Sequence, residues 1–130
     1  MSQALGVLDK TFIAGEDLSN YRYYAVYLSD DHTVKVCTTS HLNAIGILQN
    51  NPKSGEEAVV RLVGTTKAVA AGPISAGTRV KATTAGKIEA IGTAGATEQE
   101  VIGVALESSG GDGEIIEIFL IQESYVKGTT

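Results

Sequence analysis

An all-β fold is what this sequence predicts, on three grounds. Apolar residues recur at every second position rather than at helical spacing. Turn-forming residues separate the alternating runs. The one capping-box pattern, Thr97-Glu98-Gln99-Glu100, is followed by β-branched Val101, Ile102 and Val104 and by Gly103, so at most one helical turn is expected there. With 130 residues, 43% hydrophobic and 19% charged, the chain is long enough for one domain with its own core and too apolar for a disordered chain. Its 15 glycines suit a turn-rich fold.

The elements follow in order. Met1 to Phe12 carries Leu5, Val7 and Leu8 ahead of the alternating core, which is expected to begin near Tyr23. Residues 1–20 therefore read as an N-terminal arm and 21–130 as a single β domain. The arm either adds a strand to the sheet edge of a neighbour or is a frayed terminus. Thr33 to Thr38 alternates cleanly, and Ser29-Asp30-Asp31 before it reads as a tight hairpin connection. Asn51-Pro52-Lys53-Ser54 predicts a type I turn with Pro at its second position. Arg79 to Thr83 alternates again and leads into a second tight connection at Ala85-Gly86. "SGGDG", Ser109 to Gly113, is a loop, and Ile115 to Ile121 reads as a strand buried on both faces.

The chain also repeats itself. Ala44 to Leu62 and Val101 to Ile118 both read apolar-Ile-Gly-apolar, then a polar loop, then Gly-Glu and a strand, and a hairpin precedes each, over 24–38 and 78–90. Either two similar β units, about 24–63 and 78–121, descend from a duplication or the likeness is a coincidence of β patterning.

Composition excludes several function classes. Ten basic and fifteen acidic residues give a net charge of -5, with Lys and Arg scattered, which argues against nucleic acid as a direct partner. The single cysteine, Cys37, makes no internal disulfide. The N-terminus lacks a basic n-region followed by an apolar stretch, and no apolar run approaches the length of a membrane span, so a soluble chain without Sec export or a membrane partner is expected.

Each fragment of catalytic chemistry has a plainer explanation. Gly86-Lys87 lacks the glycine a phosphate-binding loop requires at position 81, which is Lys81, and the hydroxyl it requires at 88, which is Ile88. Pro73 stands where a nucleophile elbow around Ser75 needs glycine. His32, Cys37 and His41 supply at most three metal ligands with no second cysteine, and read as surface imidazoles and a small core thiol. The pairs Glu56-Glu57 and Glu98, Glu100 are sequence neighbours, whereas catalytic carboxylates face one cleft from separate elements. No catalytic residue, metal or cofactor is expected. Four of the five tyrosines lie between Tyr21 and Tyr27, with Arg22 among them. This cluster fits strand packing, a subunit interface, or, less well in an acidic chain, stacking on single-stranded bases.

Taken together, "DLSNYRYYAVYL", "AIGILQNNPKSGEEAVVRLVGTTKAVAAGPISAGTRV", "AGKIEA" and "VIGVALESSGGDGEIIEIFL" resemble the tailed-phage capsid cement proteins, also called head decoration proteins, from about Ala14 to Leu120. The resemblance implies a small β-clip-like or barrel-like domain that sits as a homotrimer on the outer surface of an expanded capsid. It would hold the major capsid protein lattice against internal DNA pressure after synthesis in the host cytoplasm. It turns the polar loops into contact surfaces and makes Leu5, Val7, Leu8, Tyr21, Arg22, Tyr23, Asn50, Asn51 and Pro52 the candidate capsid or subunit contacts. The competing class is a β-clip-like module that binds a ligand or carbohydrate, which requires a concave pocket lined by aromatic rings.

Overall fold

The computed structural model describes residues 7–38, 43–83, 85–91 and 98–126, with backbone alone at 98–99 and 122–126. Among these residues the chain forms strands β1 (Leu8–Ala14), β2 (Ala25–Asp30), β3 (Thr33–Val36), β4 (Gly46–Leu48), β5 (Glu57–Val69), β6 (Arg79–Ala82), β7 (Ile88–Ala90), β8 (Glu98–Ala105) and β9 (Ile115–Val126). The hydrogen-bonded order is β1-β3-β2-β4-β5-β9-β8-β6-β7, and β1 also pairs with β5. That extra pairing closes the first five strands into a barrel, and the remaining four extend from β5 as an open sheet.

Two apolar cores result. Phe12, Ala14, Leu18, Val26, Val34, Leu48, Ala58 and Val60 fill the barrel. The second core lies between the outside of the barrel and the open sheet, where Ala25, Tyr27, Cys37 and Ile47 meet Ala68, Val80, Ile88, Ile102, Ile116 and Ile118. Strands β2 and β4 serve both. Val26 and Leu48 point into the barrel, while their neighbours Ala25, Tyr27 and Ile47 point into the second core. This is why "AVY" and "GIL" are uninterrupted apolar runs: alternate side chains leave a strand on opposite faces, and both faces here are buried.

The suspected repeat exists in the topology. β2 pairs with both β3 and β4, and β4 with β5. In the same way β6 pairs with both β7 and β8, and β8 with β9. The registers correspond, because Gly46 lies opposite Val26 and Gly103 opposite Val80. Each glycine sits where the next strand presses closest: a Cβ on Gly46 would lie 2.2 Å from the carbonyl oxygen of Arg61, and one on Gly103 2.6 Å from that of Phe119.

Four expectations need correction. Residues 1–20 are not wholly an arm, because Leu8–Ala14 is a strand of the barrel, antiparallel to β5 and parallel to β3, with Phe12 and Ala14 buried. Its single buried pair of alternating residues was too short a pattern to read. Glu98–Gly103 is extended rather than helical, since pairing with β9 joins the strand preference of Val101, Ile102 and Val104. The tight turn of the polar loop is Lys53 to Glu56, closed by the Glu56 amide donating to the Lys53 carbonyl at 2.9 Å, and not Asn51 to Ser54. Pro52 is instead buried, with its carbonyl accepting from the Leu18 amide at 2.9 Å. Finally, β9 is buried on one face only: Ile116, Ile118 and Leu120 face the core while Ile115, Glu117 and Phe119 are exposed. The hairpin connection expected at Ser29-Asp30-Asp31 falls one residue later, with Ser29 and Asp30 in β2, and the Ala85-Gly86 turn stands where expected. Asp31 and His32 link β2 to β3, with His32 at a φ of 51°, and Gly86 lies in the turn from β6 to β7.

Gly46→Ala and Gly103→Ala should each cost about 1–3 kcal/mol, because a methyl group against backbone forces two paired strands apart. Gly72→Ala, with open space around its Cβ position, should stay within about 0.5 kcal/mol of the parent. Urea unfolding midpoints test this, and equal tolerance at all three positions would contradict the close-packed register. Cys37 has no exposed surface, and burial pushes its thiol up to about 12. A thiol reagent at mildly alkaline pH should therefore label the protein only as fast as it unfolds, whereas rapid labelling of the native state would place Cys37 outside the core.

Candidate functional site

The candidate contact residues gather in two places. The first is the stretch from Gly15 to Tyr24, which wraps the mouth of the barrel and is tied to the polar loop after β4. The Asn51 side-chain amide donates to the Ser19 carbonyl at 3.0 Å, and the Arg22 guanidinium donates to the Gln49 carbonyl at 3.1 Å. Asn50 spans the loop, accepting from the Val59 amide and donating to the Glu57 carbonyl, both at 3.0 Å. Asn50, Asn51 and Pro52 thus hold the loop's shape with their own polar groups. Its exposed tip is Lys53 to Glu56.

Tyr21, Arg22 and Tyr23 sit beside this loop. Tyr21 packs edge-on against Tyr24 with ring centroids 5.0 Å apart, and against the barrel core. Tyr23 adopts a left-handed φ of 72°, unusual for a bulky side chain. Two backbone hydrogen bonds hold it there: its amide donates to Leu48 at 2.7 Å, and its carbonyl accepts from the Val69 amide at 3.2 Å. The exposed Arg22 guanidinium lies 4.7 Å from the centre of the Tyr23 ring, a cation–π stack that fixes both side chains before any partner arrives.

The second place is the start of β1. Leu8 lies opposite Val63 on β5, and both are exposed. Val7 is half-buried against Gly64, whose φ of 108° lets β5 turn from the barrel into the open sheet. Leu5 lies outside the described residues. Next along β1, the Asp9 carboxylate takes both Nε and Nη2 of Arg61, at 2.7 and 3.0 Å, and the Arg61 side chain also donates to the Thr65 carbonyl. That pair holds the Asp9 carboxyl below the usual carboxylate range.

A third exposed apolar surface lies on the open sheet. Ile115 and Phe119 project from the outer face of β9, Val104 lies opposite Phe119 on β8, and Leu106 follows two residues on. Ile115, Leu106 and Phe119 are 53%, 46% and 43% exposed. Scattered exposed apolar residues are ordinary, but three on one sheet face make an apolar patch. Glu117 was the available signal: a charge inside an apolar strand marks its parity as the solvent side. A groove of about 490 Å³ begins at this face, lined by Tyr23, Lys67, Glu107, Ile115, Ile116 and Glu117. Another, of about 450 Å³, lies between β1 and the β2–β3 hairpin and is lined by Lys10, Phe12, Leu28 and Ser29 to His32. Each has a single Phe or Tyr in its lining, which is poor support for a sugar-stacking module.

The fragments of catalytic motif have structural employment. Lys87 pairs with Asp112 at 2.9 Å, and the Ser75 carbonyl closes a turn by accepting from the Thr78 amide. His32 is exposed at a hairpin turn, Cys37 is in the core, and His41 lies outside the described residues.

With this geometry in view, a family model described as phage cement protein matches residues 7–120. The chain belongs to the phage cement proteins. Membership carries a capsid-associated structural role, and the matched residues include β1. Among solved structures, the cement protein is similar to the N base of the head fibre protein gp8.5 of bacteriophage phi29, at 16% identity and a TM-score of 0.61, over 88% of this chain and 94% of that one. That likeness is one of fold. A comparison with curated proteins gave no match.

Deleting the chain through Lys10 should lower stability by about 2 kcal/mol, since it removes several ladder hydrogen bonds of β1 and the Asp9–Arg61 pair. The pair itself contributes under about 1 kcal/mol because both partners are partly solvated. Its sign is fixed: a carboxyl lowered in the folded state stabilises above the ordinary carboxylate range, near pH 3.9, and that stabilisation is lost as pH falls through the lowered value. Asp9→Asn should flatten the acid limb of the stability curve. An unchanged midpoint after the deletion would return residues 1–10 to the status of an appended arm.

Proposed function

We propose that this cement protein binds the outer surface of an expanded phage capsid as a homotrimer, contacts several copies of the major capsid protein, and stabilises the shell against internal DNA pressure. The reading rests on the match of residues 7–120 to phage cement proteins. Three physical features support it. An acidic chain of net charge -5 suits the outside of a shell better than the side facing packaged DNA. Tyr23, with the Arg22 guanidinium over its ring, lines one groove with Ile115 of the exposed β9 face, and aromatic residues and Arg are among the types that anchor protein interfaces. The exposed Leu8–Val63 pair at the start of β1 is a second apolar surface beside the segment that, on this reading, adds to a neighbour's sheet edge. Synthesis in the host cytoplasm and assembly onto finished shells follow from the same reading.

Mechanically, the device is multivalency. Each contact is weak, but a trimer held at one site presents its other contacts at high effective concentration, and lattice separation must break them together. Ligand-like binding to the intact lattice alone shifts the assembly equilibrium toward it.

Shells made without this protein should regain resistance to heat-induced DNA release when it is added back, and the protein should co-sediment with them. Ile115→Lys and Phe119→Lys should each weaken co-sedimentation by about tenfold or more. Their unfolding free energies should stay within about 0.5 kcal/mol of the parent, because both positions are half exposed. Undiminished shell binding by both variants would move the contact away from β9, and failure of the parent protein to bind shells at all would remove the reading.

A further inference from the structure

The open sheet ends in an unfinished piece. Glu98 to Val101 of β8 and Glu123 to Val126 of β9 pair with each other, antiparallel, beyond the point where their other neighbours stop. β6 reaches β8 only at Gly103 and Val104, and β5 reaches β9 only as far as Leu120. The result is a two-stranded ribbon whose two outer edges have no partner strand among the described residues. A ribbon of this kind is marginal alone, and its edges are open rows of backbone donors and acceptors. The β9 half, "IQESYV", carries one charge, no glycine and no proline, so it lacks most of the devices that keep an edge from pairing.

We propose that this ribbon is the self-association surface of the protein: the open β8 edge of one copy pairs with the open β9 edge of the next. The two edges run in opposite directions, so a copy rotated about an axis along the ribbon presents the antiparallel partner that the first copy lacks. One kind of neighbour therefore satisfies both edges, whereas a foreign strand satisfies only one. Repeated around three copies, the pairing closes into an antiparallel barrel with two strands from each chain and no free edge. The number three rests on the trimer reading above; the pairing rests on the ribbon alone.

The ribbon sequence gives this contact a distinctive salt dependence. Glu98, Glu100 and Glu123 lie in it, and no lysine or arginine occurs between Lys87 and Lys127. Pairing of copies brings like charges together, so salt should strengthen it by screening their repulsion. A cationic strand from another protein would bind the same edges with the opposite dependence.

Sedimentation equilibrium of the full chain, from about 0.05 M to about 1 M NaCl, tests the proposal. Self-association should tighten about tenfold across that range. The Gln99→Lys variant, which puts a lysine at a register position on the same ribbon face as Glu123, should associate more tightly than the parent at low salt and gain less from added salt. Tyr125→Pro, which removes an amide that the register turns to the outer edge, should stay monomeric, with folding checked by its urea midpoint. A parent protein that is monomeric throughout, or a Gln99→Lys variant with the parent's salt dependence, overturns the proposal, as does parent association that weakens with salt. Shell binding is scored separately: a protein that associates as described but does not sediment with shells refutes the capsid reading alone. One that binds shells while failing these salt tests refutes the ribbon pairing alone.

Discussion

Everything in this molecule depends on a shared wall. Strands β2 and β4 send alternate side chains into two different cores, Val26 and Leu48 into the barrel and Ala25, Tyr27 and Ile47 against the open sheet. β5 extends the arrangement, burying Ala58 and Val60 in the barrel and Ala68 in the second core. With each buried Val, Leu or Ile contributing about 1.5–3 kcal/mol, no face of this wall can turn polar without opening a core. The wall also sets the need for Gly64, because one strand can leave a closed barrel and join an open sheet only through an abrupt bend, taken here at a φ of 108°. Val7 packs against that bend, which ties the first strand to the same junction.

The duplicated topology follows from the same packing demand. In each half a hairpin presents its first strand to a third strand, and a glycine in that third strand lets a fourth approach within van der Waals range. The halves then diverge in what they cover. The first half gains β1 and closes on itself. The second stays open, keeps Ile115, Leu106 and Phe119 on its outer face, and runs on into the β8–β9 ribbon. Closure covers the apolar face of one half, and openness leaves exposed apolar residues and unpaired strand edges on the other.

Much of this was legible in the sequence where a local pattern had a single physical meaning. Thr33 to Thr38 and Arg79 to Thr83 alternate because one face is buried, and Ile-Gly-apolar recurs at 45–47 and 102–104 because the same close approach recurs. The fold class followed from such patterns. What stayed hidden depends on contacts distant in sequence. Leu8–Ala14 shows only Phe12 and Ala14 as buried, and its place in the barrel is decided by β5, some fifty residues away, as the Asp9–Arg61 pair illustrates. Ile115 to Ile121 looked buried on both faces because Ile and Phe occupy the outer positions, and only Glu117 betrays the outward side. The polar loop looked like a free contact surface, yet Asn50 and Asn51 spend their side chains on the Glu57, Val59 and Ser19 backbone. A sequence lists polar groups without saying which of them are already satisfied.

The molecule is thus a closed half and an open half, and under the capsid proposal above the outer face of β9 is the side that meets the shell. Cryo-electron microscopy of the assembled phage head tests that orientation directly. Three copies should surround a three-fold position on the outside of the shell, with Ile115 and Phe119 turned toward the capsid and their β8–β9 ribbons converging on the axis. Density for this chain on the DNA side of the shell, or on the outside with the β9 face turned to solvent, would contradict it.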